Sequence, residues 1–140
     1  MSVYTERFGF SSVETAVARV IMATEIYRDS RDMLVRAARI RKFRHDPDAF
    51  STIAELIRQT REKYDTILAL LGTPEEWEQR TCENPQTLIA NATMAIVETY
   101  GGTWSNLLFR VRDARSLSSV KTEDLTARQQ DLLVNFCSYI

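Results

Sequence analysis

The chain has 140 residues, 44% of them hydrophobic and 26% charged, with 18 basic against 19 acidic side chains and a formal net charge of −1. That apolar share excludes a disordered chain, and a single domain spanning 1–140 buries roughly two-thirds of the surface its unfolded form exposes. The near balance of charge excludes a global field for nucleic acid or anionic lipid, and Gly 4 with Pro 3 leaves too few turn residues for a many-stranded β fold.

Met1 to Phe10 has no basic segment leading into a long apolar run, so no secretory leader is expected. Ser11 with Glu14 three residues on reads as a capping box, which starts a helix near Ser12. Val13, Val17, Val20, Ile21, Ile26 and Tyr27 then recur at helical spacing, followed by Met33, Leu34, Ala37, Ala38 and Ile40. Asp29, Ser30 and Asp32 prefer caps to helix interiors, which predicts a break and hence two helices, 12–28 and 31–44. Asp46 and Pro47 open a block whose face is Phe50, Ile53, Ala54, Ile57, Tyr64, Ile67, Leu68 and Leu71, closed by Gly72.

Thr73 with Pro74 starts a short helix, and Asn84 with Pro85 starts another. From Leu88 to Val97 that second helix is apolar nearly all round, which predicts that 85–100 lies at the centre of a bundle. Gly101 and Gly102 end it. Trp104, Leu107, Leu108 and Val111 mark a one-sided helix, and Thr122 or Thr126 caps the last, with Leu125, Leu132, Leu133, Phe136, Cys137 and Ile140 as its stripe. The fold class expected is all-α, with six to eight helices around 85–100. No stretch is long and apolar enough for a membrane span, and the chain ends at Ile140 with no apolar anchor.

Chemistry is sparse. His45 is the only histidine and sits between Arg44 and Asp46, so it reads as a solvated side chain. Cys82 and Cys137 are too far apart for a disulfide scaffold or a thiolate metal site and suit a reducing compartment. No metal-ligand spacing or Gly-rich phosphate loop occurs, so neither a cofactor nor enzyme activity is expected. Arg36, Arg39, Arg41, Lys42 and Arg44 form the strongest local charge signal. It reads first as a solvated face favoured by a helix C-terminus, and alternatively as a phosphate-contacting surface of a nucleic-acid-associated or assembly subunit. Trp77, Tyr100 and Trp104 read as core aromatics by their helical spacing, with interface anchoring as the functional alternative.

Three segments carry a resemblance. Glu25-Ile26-Tyr27-Arg28-Asp29 closes the first pattern, Thr87 to Gly101 forms the apolar helix, and Trp104, Leu107, Leu108, Phe109 and Arg110 form a tryptophan-bearing helix before a final one at Asp124 to Tyr139. In this order they resemble the Bcl-2-like proteins of poxviruses. The Asn-Trp-Gly-Arg signature of cellular members is absent, since Thr103 precedes Trp104 and Ser105 follows it. The resemblance implies a cytoplasmic virulence factor that binds host signalling or pro-apoptotic proteins and so inhibits apoptosis, NF-κB activation or both.

It further implies a groove for an amphipathic partner helix, bordered by 31–44, 48–71 and the helix at 85–100. Met33, Ala37, Ile40, Ile53, Ile57 and Leu88 are the candidate walls because they lie on the apolar stripes, the alternative being that all six pack on one another and close the groove, and Arg39 is the candidate partner for an acidic side chain. Homodimerisation through one helical face is a further expectation, motivated by the one-sided helices at 12–28 and 104–116.

Overall fold

Every regular element in the computed structural model is helical, and no strand occurs among the residues it describes, 12–43, 47–79 and 84–139. The elements are α1 (Val13–Phe43), α2 (Pro47–Leu71), α3 (Pro74–Gln79), α4 (Pro85–Tyr100), α5 (Thr103–Asp113) and α6 (Ala127–Asn135). Single 3-10 turns lie at Leu117–Ser119 and Phe136–Tyr139. The readings placed on Met1 to Ser11, Arg44, His45, Asp46, Cys82 and Ile140, and on the Cys137 side chain, lie outside the described residues.

Helix starts follow local capping chemistry. Ser12 Oγ accepts from the Thr15 N–H at 3.1 Å, so this residue caps α1. Thr73 Oγ1 accepts from the Glu76 N–H at 3.3 Å, and Asn84 Oδ1 from the Gln86 N–H at 2.9 Å. Thr126 and Gln129 form a reciprocal capping box on α6, with bonds of 3.2 and 3.1 Å. Gly101 ends α4 at φ +92°, a conformation that side chains disfavour, and its N–H donates to the Val97 carbonyl.

The break expected at Asp29 to Asp32 does not occur, because α1 runs unbroken for 31 residues. Ser30 is fully buried, and its hydroxyl donates to the Tyr27 carbonyl at 2.7 Å, so it finds its acceptor within the helix. Asp29 stays exposed, with Lys63 Nζ of α2 at 3.8 Å. Packing against α2 supplies what propensity lacks. Buried Ala23, Ser30 and Ala37 recur every seventh residue on α1, as do Ala49 and Leu56, then Thr60 and Ile67, on α2. The pair is thus a coiled-coil-like antiparallel hairpin, with small side chains that let the axes approach. Thr60, also buried, donates to the Leu56 carbonyl at 2.8 Å, so neither seam hydroxyl needs a partner across the hairpin.

The centre of the molecule is α1, which corrects the expectation for 85–100. Ala16, Val17, Ala18, Val20, Ile21 and Ala23 are all essentially inaccessible, and Arg19 and Met22 are half-buried, so α1 is covered here over most of its circumference. It packs against α2, α4, α5, α6 and the C-terminal 3-10 turn. By contrast, α4 buries Leu88, Ala92, Ala95 and Ile96 on one face, while Ala90, Met94 and Tyr100 reach solvent. Trp104 joins the core as expected, whereas Trp77 is exposed.

Polar ties close the C-terminal part around this centre. Gln129 Nε2 donates to the Thr103 carbonyl at 3.2 Å, joining α6 to the start of α5. Arg128 pairs with Glu14 of α1 and lies over the Trp104 ring, 5.4 Å from its centroid. Arg110 donates to the Lys121 carbonyl and to Asp124 Oδ2, both at 3.0 Å, which fixes the connection between α5 and α6.

Two outcomes test this arrangement. Ile96→Asp places an unpaired charge in a fully buried site, costs several kcal/mol and abolishes cooperative thermal unfolding followed by circular dichroism. Thr126→Ala removes one cap bond and costs about 1 kcal/mol in denaturant titrations without loss of helical signal.

Candidate functional site

Among the described residues α1 borders two depressions of interest. The first is an open groove of about 500 Å3 on the far part of the α1–α2 hairpin, lined by Leu34, Ala37, Ala38, Ile53 and Ile57 with Arg41 and Lys42 at its edge. Leu34 and Ile57 are each about 40% exposed, and Val35 and Phe50 on the same two helices are more so. Among the described residues between Tyr27 and Tyr64 only the hairpin's own seam is buried and none joins the main core cluster, so this part of the hairpin stands clear of the bundle.

Of the candidate wall residues, the groove brings together Ala37, Ile53 and Ile57. Met33 and Ile40 are half-buried and off the groove lining. Leu88 is not a wall at all, because it lies in the core under α4. Arg39 is exposed and does not line the groove; Arg41 and Lys42 occupy the edge position instead. A helical stripe identifies a buried or groove-facing side, and one residue's shift around the helix decides which cation reaches the edge.

The second depression is a cleft of about 410 Å3 between α1, α4 and α5, which the sequence reading missed. Its walls are Val20, Tyr27, Ile89, Met94, Val97 and Leu108, and Arg28, Arg31 and Arg112 sit at the last lining positions of α1 and α5. Arg28 pairs with Glu25 and donates to the Val111 carbonyl, which holds these two helix segments together at the cationic end. Arg112 lies 4.8 Å from the Phe109 ring centroid and 3.0 Å from Asp113. Arg31 has no carboxylate partner among the described residues. The signal available in the sequence was Arg28 and Arg31 at i, i+3 beside the apolar stripe of the first helix.

Burial pushes the Glu25 carboxyl above its ordinary value, against the pull of Arg28, and the neighbouring Asp29 adds to the rise. On the outer face of α2 the opposite holds for Glu55. Bonds from Arg58, then Gln59, pull its carboxyl down to about 2. That network is solvent-exposed and contributes little to stability.

Among the described residues no group of His, Cys, Asp and Glu could hold a metal ion, and no helix is long and apolar enough to cross a membrane. Comparison with known proteins finds no matching family model, no matching curated protein and no matching solved structure.

The Glu25 shift has a defined pH signature. The folded state holds this proton more tightly than the unfolded chain, so the associated stability is complete below pH 4.5 and is lost as pH rises through the raised value. Glu25→Gln cannot lose it. In denaturant titrations the variant therefore gains on the wild type between pH 4.5 and neutrality; a flat or falling difference would show that the Arg28 pair outweighs burial.

Proposed function

We propose that the chain is a non-enzymatic protein-binding module that receives an amphipathic helix against the outer part of its α1–α2 hairpin. The observation that carries this reading is the apolar strip of Leu34, Ala38, Ile53 and Ile57, outside the core and edged by Arg41 and Lys42. Such a strip matches helix-in-groove recognition, in which a partner places apolar anchors at helical spacing. The cationic edge selects a partner with an acidic residue beside those anchors.

The kinship with poxviral Bcl-2-like proteins belongs to the same proposal. It rests on the segments Glu25 to Asp29, Thr87 to Gly101 and Trp104 to Arg110, together with the all-helical class. On that reading the partners are host signalling or pro-apoptotic proteins met in the cytoplasm, with a second copy of the chain as a further partner.

A second reading, nucleic-acid association through the segment Arg36 to Arg44, is favoured by the exposure of Arg36, Arg39 and Arg41, none of which has a carboxylate partner among the described residues. Its mark would be affinity that falls steeply with salt.

Titration with acid-bearing helical peptides, including pro-apoptotic ones, is expected to give dissociation constants of tens of micromolar or better, about 6 kcal/mol. Leu34→Asp and Ile57→Asp weaken binding about tenfold or more, as loss of an interface anchor does, while the melting point stays near the wild-type value. No binding, or equal binding by these variants, rejects the hairpin groove.

A further inference from the structure

The cleft between α1, α4 and α5 has the build of a small-molecule site and is separate from the hairpin strip. Its volume of about 410 Å3 lies within the range of about 300–1,000 Å3 typical of ligand pockets. Its walls are mainly apolar, from Val20 and Tyr27 on one side to Ile89, Val97 and Leu108 on the others. Met94 and Phe109 also line it, and both remain nearly half exposed.

Charge is concentrated at one end. Arg28 and Arg31 are the last residues α1 contributes, and Arg112 is the last from α5. The Arg28 bond to the Val111 carbonyl shows that these are the same end of the cleft. Glu25 already answers Arg28, and Asp113 pairs with Arg112 at the surface, whereas Arg31 has no such partner among the described residues. The cationic end therefore carries uncompensated charge, and guanidinium groups suit planar or tetrahedral oxyanions.

An apolar trough ending in arginines is complementary to a molecule with an apolar body and an anionic head. We propose that this cleft binds a single-chain amphiphile, its chain along Val20, Ile89, Val97 and Leu108 and its carboxylate or phosphate head at Arg31 and Arg112. The glutamate held beside Arg28 fixes that guanidinium against Val111, so Arg28 shapes the end of the cleft while Arg31 and Arg112 meet the ligand.

The four methionines give a direct test. Met94 lines the cleft, whereas Met33 lies on the hairpin and lines neither depression. Protein with labelled methionine methyl groups is titrated, below micelle-forming concentrations, with decanoate, decyl phosphate, decanol and decylammonium. Decanoate and decyl phosphate are expected to shift Met94 saturably and leave Met33 in place, with decanol weaker by about tenfold or more for want of charged hydrogen bonds. The tighter of the two anions identifies the head group.

Ala90→Trp, at an exposed lining position, fills the cleft and abolishes the Met94 response in a protein whose circular dichroism is unchanged. The double variant Arg31→Glu, Arg112→Glu reverses the preference toward decylammonium. Equal binding of decanoate and decanol, an unmoved Met94, or an unreversed preference in the folded double variant overturns the proposal. So does a Met94 response to an acidic helical peptide but to neither anion, which assigns the cleft to a protein partner.

Discussion

The structure depends on one stretch of helix that is buried over most of its circumference. Between Ala16 and Ala23 of α1, six side chains are essentially inaccessible and span more than half of the circumference, and the half-buried Arg19 and Met22 occupy the rest. A segment of this kind cannot be covered by a single neighbour, since one packed helix shields only a stripe. The chain must therefore bring α2, α4, α5 and α6 to it from several sides, and it does. The ties that close this cover, Arg128 with Glu14 and Gln129 with the Thr103 carbonyl, come from the last helix. The two depressions arise from the same arrangement: one where α4 and α5 leave a gap along α1, and the other where α1 runs past its cover.

Features governed by local chemistry were legible in the sequence. Thr73, Asn84 and Thr126 cap helices as their spacing predicts, because a capping bond reaches only two or three residues. The unbroken α1 was not legible. Asp29, Ser30 and Asp32 carry a local preference for ending a helix, and only the seam with α2 reverses it. The assignment of the centre failed for a related reason. The sequence shows 85–100 to be apolar all round, but alanines and a solvent-reaching Met94 cover much of that circumference. The alanines and valines of 16–23 are less conspicuous and are buried more completely.

The candidate groove was legible in part. Ala37, Ile53 and Ile57 meet because apolar stripes at helical spacing fix which side of each helix faces the hairpin. Leu88 lies on an equally good stripe and is covered by the core, a distinction that depends on which helix lies above it. The arginine-ended cleft was legible only as the pair Arg28 and Arg31 beside an apolar stripe, for the same reason. Its cations come from positions more than eighty residues apart, and only the fold places Arg28 against Val111.

The outer hairpin has a consequence for motion. No described residue between Tyr27 and Tyr64 belongs to the main core cluster, so over that stretch the two helices are held chiefly by the seam of Ser30, Ala37, Ala49, Leu56 and Thr60. Segments with so few buried apolar contacts are of the kind that open locally, at a free energy below that of global unfolding. The backbone amides of the outer hairpin exchange with solvent sooner than those of 16–23. A molecule seated on Leu34 and Ile57 acts as the missing third layer, so occupancy at this end is read out as protection from exchange along both helices, well beyond the residues it touches.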